Sequence, residues 1–298
     1  MPLPKTLDLH DSAVRPDPHS TLQRYKNALR ESIAHGEGNL RGTWCFTDCS
    51  SPTDLLAAIT SAETSPDSVV LKEDRRTRVT KAHLFNHDVV IKSYTLTRPA
   101  EHLKYLLRVS PARRFWATAT VMQQLNIPTP RPLACLQQCR GPVPVRSYVI
   151  NAFAPDTITA RQWIEPAFHT LAPEEKTHIM QQMLNHLLLL YRHGIYHKDT
   201  KCENILLQHP LLPDRQRLLW IDLECCLCKQ PSRHDITRNL VQLNGAIGLQ
   251  VSREDRLTFL DLVAEHYPWA NTPDVIDRIC AWTARRLDKE KAIARQEV

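Results

Sequence analysis

Two short apolar runs, Ile205-Leu206-Leu207 and Leu218-Leu219-Trp220-Ile221, constrain this chain more than any other feature. A loop carrying Pro210, Pro213 and Asp214 separates them, and runs this short, bounded by turn residues, read as strands. If they pair as an antiparallel hairpin, the residue before the first lies beside the residue after the second. Those residues are Asn204 and Asp222. An amide oxygen and a carboxylate brought together make a hard oxygen site suited to magnesium, with phosphate oxygens completing the shell.

The residues just upstream fit phosphoryl transfer. Asp199 stands where it can reach an acceptor hydroxyl and take its proton, or orient it. Lys201 is placed to neutralise charge on the transferred group, and His197 supports the loop backbone rather than moving protons. A capping Asp and a turn Asn in an ordinary helix-to-strand link would give the same spacing by chance. The strand–turn–strand context and the Ile221-Asp222 that follows favour the catalytic reading. Glu224, two residues beyond Asp222, is either a ligand for a second metal ion or an ordinary exposed acid.

A second anchor lies far upstream. Ser68-Val69-Val70-Leu71-Lys72, Thr77 to Leu84 and Val89-Val90-Ile91-Lys92 are β runs joined by short polar turns, which predicts an antiparallel meander. A lysine ending the third strand, Lys92, can reach the α- and β-phosphates of a nucleotide; a lysine on a sheet edge is the plain alternative. The first turn, Glu73-Asp74-Arg75-Arg76-Thr77, has no glycine with which to cradle phosphates by close backbone approach. Arg75 or Arg76 would have to do so with side chains, unless the turn is simply solvated. Ser110-Pro111 opens a helix, with the hydroxyl as cap and proline at the first helical position. Phe115, Ala119 and Met122 share one face of it, and no acid in it can pair with Lys92. Glu101, in the segment before it, is the nearest carboxylate.

Strands near Pro132–Cys135 and Ser147–Ile150 complete a β-rich region, and helices then dominate. Pro173-Glu174-Glu175 opens a long helix with acids at its positive end, and Gly194 closes it. Further helical patterns run around 236–247, 254–266 and 273–294. The expectation is an α+β, protein-kinase-like, two-lobed fold. Residues 67–152 form an N-lobe of five antiparallel strands and one helix, and 153–298 a mainly helical C-lobe holding the catalytic loop. Residues 1–66 read as a partly disordered N-terminal extension, with short helices from Leu22 to Ile33 and from Asp54 to Ile59.

Composition narrows the partners. At 42% hydrophobic and 23% charged the chain can bury a substantial core. It has no apolar run long enough to cross a bilayer and no apolar secretory segment at its start, so a cytoplasmic location is expected. In that setting its nine cysteines read as reduced thiols. Cys45 with Cys49 and Cys135 with Cys139 leave a four-cysteine zinc site conceivable, but no His pair supports it and buried thiols are the favoured reading. A formal charge of +6 fits an acidic or phosphorylated partner, or an anionic membrane face, better than it argues for nucleic acid. Arg278, Arg285, Arg286, Lys289, Lys291 and Arg295 on the last helix, and Arg108, Arg113 and Arg114 earlier, are candidates for such a face. Asp288 and Glu290 among the first set fit a solvated helix equally well.

Several segments together resemble a known family. Val-Leu-Lys-Glu-Asp-Arg-Arg-Thr-Arg-Val (70–79), Val-Val-Ile-Lys (89–92), Ala-Arg-Arg-Phe-Trp (112–116), Asn-Ile-Pro-Thr-Pro-Arg-Pro-Leu (126–133) and His-Lys-Asp…Asn (197–204) are similar to the bacterial lipopolysaccharide core kinases of the Kdo/WaaP family. Arg238-Asn239-Leu240 and Ser252 to Phe259 follow that family's C-terminal pattern. The resemblance implies a kinase that uses ATP and magnesium to phosphorylate a sugar hydroxyl, on Kdo or heptose of lipopolysaccharide core or another glycolipid. The work would be done at the inner face of the cytoplasmic membrane. It assigns Lys92 to nucleotide phosphates, Asp199 as catalytic base, and Asn204 with Asp222 to the metal. Rival readings are a choline- or aminoglycoside-type phosphotransferase, a protein kinase, and a pseudokinase acting as an envelope assembly factor. The protein kinase reading lacks an Ala-Pro-Glu motif and room for a full activation segment.

Overall fold

The computed structural model describes residues 18–96, 105, 108–209, 217–247 and 251–294, and the chain divides into two compact units. One comprises residues 19–155 together with 222–226.

This first unit is built on a seven-stranded antiparallel sheet. After helix α1 (Pro18–Glu31) come β1 (His35–Glu37), β2 (Leu40–Trp44) and helix α2 (Pro52–Thr64). Then follow the meander β3 (Val69–Glu73), β4 (Thr77–Leu84) and β5 (His87–Thr95), helix α3 (Pro111–Gln124), and the hairpin β6 (Pro132–Arg140) and β7 (Val143–Ala152). The spatial order is β1-β2-β6-β7-β5-β4-β3.

The five strands and the helix expected over residues 67–152 are present among the described residues, but the sheet is wider than expected. Residues 35–44 add two strands beside β6, and α1 and α2 occupy the positions anticipated for two short helices. The strand β2 lacked a sequence signal because Leu-Arg-Gly-Thr-Trp is short and broken by a glycine. That glycine has a structural reason. A β-carbon on Gly42 would lie 2.5 Å from the carbonyl oxygen of Cys135 on the neighbouring strand.

Alternation along the strands sorts the two faces. Ala82 and Leu84, Val89 and Ile91, Ala134 and Leu136, and Tyr148 and Ile150 join Leu55 and Ile59 of α2 in one apolar cluster. On β5 the intervening residues, Lys92 and Tyr94, therefore belong to the opposite face, the one covered by α3, which packs on β5, β6 and β7. The hydroxyl of Ser110 caps α3 by accepting from the Arg113 amide and also accepts from Gln137 of β6 at 2.7 Å, fixing the helix to the sheet. Arg113 is tied to α1, donating to Ser32 Oγ at 2.8 Å and to the Leu29 carbonyl at 2.7 Å. It is a structural cation rather than part of a surface patch.

The second unit comprises residues 156–221 and 227–298. Its described elements are β8 (Thr157–Thr159), α4 (Ala160–Ala167), α5 (Pro173–Arg192), β9 (Ile195–His197), β10 (Ile205–Gln208), β11 (Arg217–Trp220), α6 (Arg233–Ala246), α7 (Arg253–His266) and α8 (Pro273–Ala294). The stripe Ile179, Met183, Leu187 and Tyr191 of α5 is buried, as its helical spacing predicts. Gly194 follows at φ +62°, the left-handed position that ends such a helix. The expected hairpin is present: Ile205 pairs with Trp220 and Leu207 with Leu218, and β8 adds a third strand. Trp220 stacks between His186, 4.7 Å away and nearly parallel, and His197, 5.3 Å away.

Two measurements test these packings. Gly42→Ala should destabilise the protein by about 1–3 kcal/mol through overpacking, read as a lower urea midpoint; an unchanged midpoint would mean β2 is not seated against β6. Burial holds the His186 imidazole neutral, with its pKa lowered to about 3. The folded state therefore binds fewer protons than the unfolded one, and stability is lost as pH falls from about 6.5 towards 3. His186→Phe keeps an aromatic stack and removes that titration. Its unfolding temperature should fall less between pH 7 and pH 5 than the parent's. Some dependence should remain, because burial and Arg192 also lower His193. Parallel curves for the two proteins would contradict the assignment.

Candidate active site

The loop from His197 to Asn204 lies in the helical unit and is held from several sides. His197 uses both ring nitrogens on the backbone: Nδ1 accepts from the Asp199 amide at 3.1 Å, and Nε2 meets the Ile221 carbonyl at 3.0 Å. With Nδ1 accepting, Nε2 carries the proton. Its place is structural, in line with the sequence reading. Asn204 donates through Nδ2 to the Asp199 carbonyl at 2.8 Å and to the Asp199 carboxylate at 3.0 Å. The amide nitrogen is thus committed, and the oxygen is the atom left to serve as a ligand. Lys201 Nζ stands 3.5 Å from the Asp199 carboxylate, a partly exposed pair whose attraction is weak in water but sufficient to bias orientation. Asn204 also accepts through its carbonyl from the Ile221 amide at 3.1 Å, which extends the hairpin by one step to the residue before Asp222.

Two residues of α6 support this loop from behind. Asn239, fully buried, donates to the His197 carbonyl at 2.9 Å and accepts from the Tyr191 hydroxyl at 2.7 Å. Gln242 donates to the Lys198 carbonyl at 2.5 Å and accepts from both the amide and the hydroxyl of Thr200 at 3.0 Å. Every residue from 197 to 200 therefore has a backbone group fixed. Sequence reasoning noted Arg238-Asn239-Leu240 only as a pattern and missed Gln242. Two amide side chains one helical turn apart, on an otherwise apolar face, were the available signal.

The second cluster lies in the sheet-bearing unit, where Lys92 meets residues 222–226. Lys92 Nζ donates to Asp222 Oδ1 and, at 2.6 Å, to Glu224 Oε1. The Tyr94 hydroxyl donates to the same Glu224 oxygen at 3.0 Å. Glu224 is not the exposed acid that was one of its two expected readings: its side chain is 12% exposed. Burial alone would lower the Lys92 pKa, but Glu224 and then Asp222 more than reverse this, and it is raised. Burial raises the Glu224 carboxyl, against the lowering effect of Lys92. The two shifts pull oppositely on one pair. The charged form is the one the contacts favour, because Lys92 faces two carboxylates and a second donor serves the same oxygen. Asp222 has φ +62° and ψ +39°, a left-handed conformation that costs an ordinary side chain free energy and gathers at functional sites.

The glycine-free turn between β3 and β4 is closed by a side chain. Asp74 accepts from the amides of Arg76 and Thr77, both at 2.9 Å. Arg75 and Arg76 are exposed there. Arg76 also borders a cavity of about 200 Å3 lined by Tyr94, Tyr105, Arg114 and Glu224. Glu101 falls outside the described residues. Among the described residues the acids beside Lys92 are Asp222 and Glu224, supplied from a segment more than a hundred residues further along the chain.

Residues 64–262 match the model of the lipopolysaccharide kinase (Kdo/WaaP) family. Among solved structures the chain is similar to WaaP, determined in complex with acyl carrier protein, with a TM-score of 0.55 and 17% identity. That match covers 79% of this chain and 92% of that one. No curated protein sequence matches.

Gln242→Leu keeps the size of the side chain, breaks three hydrogen bonds to the loop and leaves the Lys198 carbonyl unpaired. It should destabilise the protein by about 1–3 kcal/mol and speed amide exchange at 198–200 more than elsewhere. Unaltered exchange in that segment would refute the supporting role.

Proposed function

Because the chain belongs to the lipopolysaccharide kinase (Kdo/WaaP) family, we propose that it transfers the γ-phosphoryl group of ATP to a sugar hydroxyl of lipopolysaccharide core, on Kdo or heptose. Family membership implies kinase activity and ATP use; the acceptor and the residue roles are this proposal's own.

The acceptor hydroxyl attacks the γ-phosphorus, a new O–P bond forms, the bond to the β–γ bridging oxygen breaks, and ADP leaves. Asp199 takes the hydroxyl proton or orients the hydroxyl as its nucleophilicity develops. Asn204 and Lys201 keep its carboxylate in place, which is the single observation that most supports the reading. Lys201 offsets charge on the phosphoryl oxygens as they pass to the acceptor. Lys92 binds nucleotide phosphates, and Arg75 and Arg76 neutralise phosphate charge where a glycine-rich backbone would otherwise cradle it. Asn204 and Asp222 present an amide oxygen and a carboxylate, a hard donor set that fits magnesium, which when bound would offset phosphate charge. Glu224 holds Lys92 rather than a second ion, since one of its oxygens already takes two donors.

The protein kinase alternative is disfavoured by chain length. After β12 (Cys226–Cys228) only residues 229–232 precede α6, which leaves no span for a substrate-binding activation segment. No helix among the described residues is long and apolar enough to cross a membrane. The proposed route to a membrane-borne acceptor is therefore peripheral contact at the inner face, with exposed Arg278 and Arg285 of α8 as the basic contribution.

Incubation with labelled ATP and magnesium, offering lipid A–core, choline-like alcohols or a generic protein, tests the proposal. Label should enter the lipid alone, and Asp199→Ala should lower turnover by about 10²–10⁴. Equal labelling by parent and variant rejects the mechanism, and label in another acceptor rejects the substrate.

A further inference from the structure

Lys92 has no acid partner from the helix that covers it. Its partner Glu224 instead comes from the turn 223–225, against which α3 packs. An acid on a short turn has less fixed backbone beneath it than one on a helix, so something else must hold its carboxylate. The two oxygens of Glu224 differ in this respect. Oε1 takes both side-chain donors, whereas Oε2 is buried without a hydrogen-bond partner. Of those donors one is Lys92 itself, which must also serve the nucleotide. The other is Tyr94.

We propose that Tyr94 is a positioning residue for phosphoryl transfer: its hydroxyl clamps Glu224 so that this acid, in place of a helix acid, holds Lys92 ready for nucleotide phosphates. The assignment rests on the kinase reading above. Tyr94 suits the task for three reasons. It sits two residues after Lys92 on β5, so both side chains leave the same face of the strand. The residue is 6% exposed, so water offers little competition for its hydroxyl. Its backbone is locked in the middle of the sheet, paired with Thr77 on β4 and Ser147 on β7. A rigid donor on the strand that carries the lysine fixes the distance between lysine and acid. Binding of phosphate by Lys92 loosens its hold on the carboxylates, and Tyr94 is then the remaining side-chain donor to Glu224 Oε1 among the described residues.

The test is a cycle of Tyr94→Phe, Glu224→Gln and the double variant. ATP binding is followed by calorimetry, turnover with lipid A–core is measured at one pH, and thermal unfolding checks the fold. Loss of one hydrogen bond to a charged group predicts that Tyr94→Phe lowers both ATP affinity and kcat/KM for ATP about tenfold. KM for the lipid should not change; a role in packing alone would not confine the loss to ATP. Glu224→Gln should lower ATP affinity at least as far, and the double variant should lose no more than Glu224→Gln alone. An ATP affinity of Tyr94→Phe equal to the parent's, or additive losses in the double variant, overturns the proposal. If Tyr94→Phe does not fold, Glu224→Gln decides: an ATP affinity equal to the parent's overturns it. A parent that binds ATP but leaves the lipid unlabelled sinks the acceptor assignment, while the tenfold difference in ATP affinity still judges Tyr94. A parent that binds no ATP sinks both.

Discussion

A lysine held between two carboxylates is the contact on which the rest of the sheet-bearing unit depends. Lys92 and Glu224 are largely removed from water and Asp222 partly so, and burying charge is costly unless it is paired and hydrogen-bonded. Removal of the lysine would leave two neighbouring carboxylates without a countercharge. This pairing gives residues 222–226 a reason to belong to the unit that carries β5, although the hairpin just before them belongs to the other. A chain that leaves one unit to place two acids on a lysine of another segment is organised by electrostatics more than by local propensity.

The loop from His197 to Asn204 follows a different logic. Its residues are almost all polar, yet Thr200 and His197 are fully buried. Such a loop keeps its shape only if its backbone groups find partners. Asn239, Gln242 and the His197 ring supply them. The Asp199 carboxylate, held by Asn204 and Lys201, is the group proposed above to meet the acceptor. Around Lys92, Tyr94 supplies a comparable fixed donor, from the middle of a strand.

Much of this was legible in the sequence. The three-strand meander, the capped helix after Ser110, the long helix ending at Gly194 and the hairpin around Ile205 and Trp220 follow from periodicity and turn chemistry acting over a few residues. The strands at 35–44 did not, because a short polar segment with a glycine carries no alternating pattern. They form only because β6 offers an unpaired edge and because a residue without a β-carbon fits under Cys135.

By itself, the sequence determined the hairpin that puts Asn204 before its first strand and Asp222 after its second, and the β run that carries Lys92, although that strand continues past the lysine to Thr95. Only the tertiary structure brought Asp222 and Glu224 to that lysine. Glu224 stands 132 positions away along the chain, and nothing in local pattern encodes a pairing over such a distance. It arises because the sheet places Lys92 and Tyr94 on the face covered by α3, where the turn after β11 arrives. The cost of leaving a charge unpaired there selects the partner.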